Sequence, residues 1–102
     1  MSGKLVRDRI PELIRASGLV PVVHVLEGKD FEESLRLKLV EEAIEVQQAK
    51  PSDLAEELAD VLEVIHTLAE TSGIPWPEVE IAADNKRVER GGFTSRLWLE
   101  ES

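Results

Sequence analysis

Residues 31–71 read FEESLRLKLVEEAIEVQQAKPSDLAEELADVLEVIHTLAET, and this stretch decides the fold. Apolar residues recur at helical spacing on both sides of the break at 50–52, which predicts one helix over 31–49 and a second over 53–71. Because the break is short, we expect the two helices to pack antiparallel. Eight carboxylates and one lysine lie between positions 41 and 63, so this part of the chain carries −7 of the net charge of −9.

Four of these carboxylates are expected to meet in a cleft between the two helices. Glu42 and Glu45 lie seven and four residues before position 49. Glu57 and Asp60 mirror them, four and seven residues after position 53. The two pairs therefore stand at equal heights above the turn, and i, i+3 spacing puts both members of a pair on one helix face. On a helical wheel they lie within or beside the apolar stripes, where carboxylates without a counter-ion repel one another.

A hard divalent cation would relieve this repulsion, because Mg²⁺ and Mn²⁺ take oxygen ligands and need no cysteine, of which the chain has none. The alternative is a solvated acidic face, since E-x-x-E and E-x-x-D each occur often in acidic helices. Two such pairs at matched heights favour the metal site. A magnesium cluster suits a phosphate ligand, because two Mg²⁺ ions held there would activate a water molecule and neutralise the charge that develops on a leaving pyrophosphate.

Basic residues near both ends of the chain are candidates for binding a substrate's phosphates. Lys4 and Arg7 precede the acidic middle, and Lys86 and Arg90 follow it. A phosphate ligand beside a magnesium cluster needs such cations to balance its remaining charge. The alternative is that these side chains serve solubility and surface ion pairs.

The helix predicted over 31–49 has apolar residues on two nearly opposite sides. One side is formed by Phe31, Leu35, Leu39, Ala43 and Val46, and the other by Leu37, Val40 and Ile44. A helix that is apolar on two sides is buried on two sides. In a short chain we expect the second side to meet another copy, in a homodimer or homotetramer.

Elsewhere the pattern predicts two further helices and two short strands. Helices are expected over 5–16 and 77–90, and β-branched or apolar runs predict strands over 20–26 and 93–99 that pair with each other. The predicted fold is mainly α: an antiparallel bundle of about four helices with a small two-stranded β element, completed by oligomerisation. Residues 1–102 are expected to form a single domain.

Composition and charge disfavour several classes of protein. No apolar run approaches the ~20 residues of a membrane span, and the N-terminus lacks the apolar core of a signal peptide. A net charge of −9 argues against broad attraction to nucleic acid or to anionic membranes. We therefore expect a cytoplasmic protein with no nucleic-acid or membrane partner. Trp76 and Trp98 are expected to pack in a core or an interface rather than stack on a base.

Four short motifs resemble one known family over nearly the whole chain. EEAIE at 41–45 and EELAD at 56–60 resemble the EExxE…EExxD signature of the MazG-like all-α nucleoside triphosphate pyrophosphohydrolases. KLVRDRIPE at 4–12 and ERGGF at 89–93 resemble a small, predicted house-cleaning branch of that superfamily, which is related to phosphoribosyl-ATP pyrophosphohydrolase.

This resemblance implies a Mg²⁺-dependent cut between the α and β phosphates of a nucleotide, giving a monophosphate and pyrophosphate. By motif position the metal ligands would be Glu42, Glu45, Glu57 and Asp60, the same four that the helical wheel selects. Glu45 would also orient or deprotonate the attacking water. Two other functions stay open: a dedicated phosphoribosyl-ATP pyrophosphohydrolase of histidine synthesis, and a non-catalytic acidic helical module that binds a partner.

Overall fold

A computed structural model describes residues 3–100 as four helices and their connections. The helices are α1 Ile10–Ala16, α2 Gly28–Gln48, α3 Leu54–Thr71 and α4 Trp76–Arg90. α2 packs along α3, and α3 contacts α4. The turn at 49–53 joins α2 to α3 at one end. At the other end the hydroxyl of Ser72 donates to Glu32 (3.4 Å), so the two long helices run antiparallel, as predicted.

The ends of the helices follow from residues that start or stop a helix. Pro11 and Pro77 lie in the first turns of α1 and α4, where a missing N–H breaks no helical hydrogen bond. Gly91 follows the last residue of α4 with a φ of 82°, which a side chain would resist. α1 begins at Ile10 rather than at position 5, and α2 begins at Gly28, three residues earlier than predicted.

The predicted two-stranded β element is wrong. Residues 20–26 and 93–99 both belong to the described part of the chain, and neither forms a strand there. Val22 is 97% exposed and Trp98 is 86% exposed, so Trp98 does not pack in a core within its own chain, and its packing in an interface stays a prediction. β-branched residues supply strand propensity, but an isolated pair of strands is marginal without a third strand or a helix to pack on.

The core between the long helices is small, and on α3 it is shifted from the predicted apolar stripe toward the shoulder that carries the carboxylates. The buried apolar side chains of the described residues are Leu35, Val64 and Ala69. Val64 lies on the shoulder of the apolar stripe that the helical wheel predicts for α3, between Glu57 and Asp60. The stripe itself consists of Leu54, Leu58, Val61, Leu62, Ile65, Leu68 and Ala69. Leu58 and Leu62 belong to that stripe, yet each is 50% exposed. α3 is therefore turned so that its carboxylate-bearing side faces α2.

The described part of the chain is extended for its length. Its radius of gyration is 17.6 Å and its extents are 53 × 34 × 27 Å. A compact chain of this size has a radius of gyration of about 13 Å. α1 takes no part in the helix contacts, which join α2 to α3 and α3 to α4. Within residues 3–100, no helix combines the length and the apolar character needed to cross a membrane.

Candidate metal centre

The carboxylates of Glu42, Glu45, Glu57 and Asp60 come together on one side of the α2–α3 pair. Each residue offers one oxygen, and these four oxygens all lie within 4.8 Å of one another. We call these four residues the acidic face. Glu42 is only 6% exposed, Glu57 and Asp60 are half-buried, and Glu45 is exposed. The acidic face is therefore closed at Glu42 and open to water at Glu45.

Two helices and one turn produce this arrangement. Within each helix the two carboxylates are three residues apart, so they lie one turn apart on the same side. The turn at 49–53 sets the two pairs at equal heights, as their spacing predicts. The rotation of α3 then points its pair toward α2. The four side chains meet as expected, and their role as metal ligands stays a prediction.

Two oxygens of the acidic face are buried without a hydrogen-bond donor in the part of the chain that the structure describes. They are Oε2 of Glu42 and Oε2 of Glu57. Burial raises the pKa of Glu42 above its ordinary value of 4.5, and the neighbouring Glu45 raises it further, whereas Lys38 opposes the shift. A buried carboxylate oxygen without a donor has lost its hydration, which costs about 1–3 kcal/mol. A cation at these two oxygens would remove that cost.

Within residues 3–100, two basic side chains touch the acidic face. Nζ of Lys38 lies 3.3 Å from Oε1 of Glu42 and 3.6 Å from Oε1 of Glu41. Nη2 of Arg7 lies 2.7 Å from Oδ1 of Asp60. Arg7 is one of the predicted phosphate-binding residues. Lys38 is not, although its position four residues before Glu42 on the same helix is a sequence signal for an ion pair.

The other predicted phosphate-binding residues are not joined to the acidic face. Lys4, Lys86 and Arg90 are exposed. Within residues 3–100 none of them makes an ion pair with the four carboxylates, although α4, which carries Lys86 and Arg90, contacts α3. Trp76 stacks on His66 with ring centroids 3.6 Å apart, so it packs inside its own chain.

Comparison with known proteins assigns no function to this site. An uncharacterized protein of Mycolicibacterium smegmatis is 50% identical to the chain over 52 residues. The match covers 51% of this chain and 53% of that protein, so the chain spans about half the length of the curated relative that it matches. No family model matches the chain. No solved structure matches it either.

Proposed function

We propose that the protein is a Mg²⁺-dependent nucleotide pyrophosphohydrolase. It would cleave a nucleoside triphosphate, non-canonical nucleotides included, to a monophosphate and pyrophosphate. The observation that carries this proposal is the acidic face, in which four carboxylates meet and two buried oxygens have no donor within the described residues. The motif resemblance supplies the reaction, and the acidic face offers a place for the ions that this reaction needs.

The acidic face fits Mg²⁺ or Mn²⁺ in ligand type and in size. All four donors are carboxylate oxygens, the ligands that hard divalent cations prefer. One oxygen from each of the four residues lies within 4.8 Å of the other three, so small side-chain rotations would let them hold a cation together.

The residues of the acidic face would divide the work according to their exposure. Bound cations would supply a polarised water and neutralise charge on the leaving pyrophosphate. Glu45 is exposed, so its carboxylate is the one that solvent reaches most readily, and it would orient the attacking water and accept its proton. Glu42 is closed off from solvent and would act as a ligand alone, together with Glu57 and Asp60.

Basic side chains would bind the substrate's phosphates. Arg7 already lies at the acidic face, and Lys4 belongs to the same N-terminal segment. Lys86 and Arg90 lie on α4, beside α3. A guanidinium group donates two parallel hydrogen bonds to a phosphate, which fixes the orientation of the ligand as well as its charge.

An association of copies would complete the bundle. Leu37, Val40 and Ile44 lie on the exposed side of α2, and we call them the apolar face. The small core and extended shape leave one copy with little buried apolar surface, and small domains often depend on a partner for stability. We propose a cytoplasmic homodimer or homotetramer that binds a nucleotide and neither nucleic acid nor membrane.

A non-catalytic interaction module is the second candidate, and the apolar face is the observation that favours it. A solvent-facing patch of large aliphatic side chains is typical of protein-binding surfaces. A phosphoribosyl-ATP pyrophosphohydrolase would share the acidic face and differ only in substrate.

One assay separates these functions. The full chain is incubated with canonical and modified nucleoside triphosphates and with phosphoribosyl-ATP, each with Mg²⁺, Mn²⁺ or EDTA, and products are separated by anion exchange. We expect a monophosphate and pyrophosphate with either metal and neither product with EDTA. Cleavage of phosphoribosyl-ATP alone would select the dedicated enzyme. If no nucleotide is cut and calorimetry detects no binding of either metal, the enzyme proposal is wrong.

A further inference from the structure

The contact between Arg7 and Asp60 joins the N-terminal segment to the acidic face. Nη2 of Arg7 donates to Oδ1 of Asp60 at 2.7 Å, across 53 positions of sequence. Both side chains keep part of their surface in water, so each can move without breaking a packed core. In the described part of the chain, the other side-chain hydrogen bond between distant positions is the one from Ser72 to Glu32.

Helix packing does not hold the segment in place. The helix contacts of residues 3–100 join α2 to α3 and α3 to α4, and α1 belongs to neither pair. The guanidinium of Arg7 therefore joins the segment before α1 to α3 through a polar contact, beside the half-buried side chains of Leu5 and Val6. A contact of this kind depends on the charge of one carboxylate, and Asp60 is a member of the acidic face.

A divalent cation and Arg7 would compete for Asp60. Both are attracted to the same carboxylate, and a doubly charged ion among the four oxygens would repel a guanidinium a few ångströms away. A guanidinium released there would lie beside the place where a phosphate meets the ions. Its planar pair of donors matches phosphate oxygens as well as it matches a carboxylate.

We propose that Arg7 is a latch that cations release: it holds Asp60 before a divalent ion binds, and the ion frees it to bind the phosphates of the substrate. This inference rests on the proposed function, because it takes the acidic face as the ion site and a phosphate compound as the ligand. Arg7 is then a binding residue whose availability depends on the ion. The order of events would be cation first and phosphate second.

The latch predicts opposite effects of one substitution on two ligands. Without Arg7 the ion has no competitor at Asp60, so Arg7→Met should bind Mn²⁺ about two- to fivefold more tightly in the absence of phosphate compounds. With Mn²⁺ bound, the same variant lacks a phosphate donor, so it should bind pyrophosphate about tenfold or more weakly. If Arg7 had a purely structural role, Arg7→Met would bind both Mn²⁺ and pyrophosphate more weakly.

Arg9→Met is the matched control. Arg9 lies two residues away in the same segment and carries the same charge, but it pairs locally with Glu12, with Nη2 3.4 Å from Oε1. If the loss of one positive charge were the cause, Arg7→Met and Arg9→Met would change the affinities for Mn²⁺ and pyrophosphate by the same amount. The latch predicts that Arg9→Met matches the unsubstituted protein in both titrations.

The test combines three measurements on the full chain. Mn²⁺ affinity is measured from the electron paramagnetic resonance signal of unbound Mn²⁺. Pyrophosphate affinity is measured by calorimetry at saturating Mn²⁺. The Nε–H signal of Arg7 in the unsubstituted protein is followed by nuclear magnetic resonance during a Mg²⁺ titration, which needs no variant to fold. We expect that signal to shift and sharpen as Mg²⁺ binds, because the guanidinium leaves Asp60 and gains freedom.

Each outcome decides the latch. Tighter Mn²⁺ binding and weaker pyrophosphate binding by Arg7→Met alone, with a Mg²⁺-dependent Arg7 signal, support it. Unchanged or weaker Mn²⁺ binding by Arg7→Met, or an Arg7 signal that ignores Mg²⁺, overturns the latch and leaves the proposed function standing, provided that the unsubstituted protein binds Mn²⁺ and cuts nucleotides. If the unsubstituted protein binds no Mn²⁺, the ion site fails, and the proposed function and the latch fall together.

Discussion

Glu42 and Leu37 lie five positions apart on α2, and their exposure is the reverse of what their chemistry favours. Glu42 is 6% exposed, whereas Leu37 is 72% exposed. Charged side chains are rarely buried, and although Oε1 of Glu42 pairs with Lys38, its Oε2 has no donor within the described residues. Large apolar side chains, by contrast, gain free energy when they leave water. The acidic face and the apolar face are therefore both unfavourable in one copy of the chain by itself.

The difference between the two faces lies in what would relieve each of them. The acidic face holds negative charge that is partly shielded from solvent, and a divalent cation would offset that charge at four oxygens. The apolar face holds three aliphatic side chains in water, and a second copy of the same surface would cover them. α2 thus carries residues of the proposed ion site and of the proposed association surface on different sides, and each can be altered without the other.

The largest expected effect comes from altering the acidic face. Glu57→Gln keeps the shape of the side chain and removes a ligand charge, so turnover should fall about 100-fold or more. Steady-state release of pyrophosphate measures this change. Glu56→Gln is the matched control, because Glu56 is the exposed neighbour outside the acidic face and its loss should barely change the rate. Equal losses in both variants would contradict the assignment of Glu57 as a ligand.

The next effect comes from altering the apolar face. Ile44→Asp places a charge where a second copy is expected, so the oligomer should dissociate to a single chain of 11.4 kDa. Light scattering coupled to size-exclusion chromatography measures the mass. Val88→Asp is the control, since Val88 is an exposed aliphatic residue of α4 outside the apolar face. An unchanged mass for Ile44→Asp would show that copies do not associate through this face.

A smaller effect concerns stability without metal. Glu42→Gln removes a charge whose loss of hydration outweighs its attraction to Lys38, and Lys38 keeps its contact with Glu41. In EDTA the variant should therefore be more stable by about 1 kcal/mol and have a Tm higher by about 4–8 °C. Glu41→Gln is the control, because Glu41 also pairs with Lys38 but is exposed to a much greater degree, and its Tm should stay the same. With saturating Mg²⁺ the order of the Tm values should reverse, because the ion binds the unsubstituted protein more tightly and stabilises it more. A lower Tm of Glu42→Gln in EDTA would argue against a strained acidic face.

The smallest effect is a pH dependence that follows from the raised pKa of Glu42. Between the ordinary value of 4.5 and the raised folded value, the folded chain binds more protons at this site than the unfolded chain does. The contribution of Glu42 to the free energy of unfolding therefore falls as pH rises through that window. Urea unfolding in EDTA at several pH values measures it as the difference from Glu42→Gln. A difference that does not change with pH would contradict the raised pKa.

Local spacing made the four carboxylates of the site predictable. The helices around the turn at 49–53 were expected from apolar periodicity, and the meeting of the four carboxylates was expected from i, i+3 spacing at equal heights. These features depend only on the regular repeat of the α-helix and on the short turn between the two helices. The strands over 20–26 and 93–99 were not determined in this way, because a strand forms only against a partner that local sequence does not supply.

The sequence by itself determined that two acidic helices pair antiparallel and bring Glu42, Glu45, Glu57 and Asp60 to one height. The rotation of α3 about its own axis depends on how the helices pack, and it buries Val64, leaves Leu58 half-exposed and directs the carboxylates toward α2. A helical wheel fixes angles between residues and says nothing about where the neighbouring helix stands. The contact of Arg7 with Asp60 also depends on the tertiary structure, because two residues 53 positions apart meet only when the chain is folded.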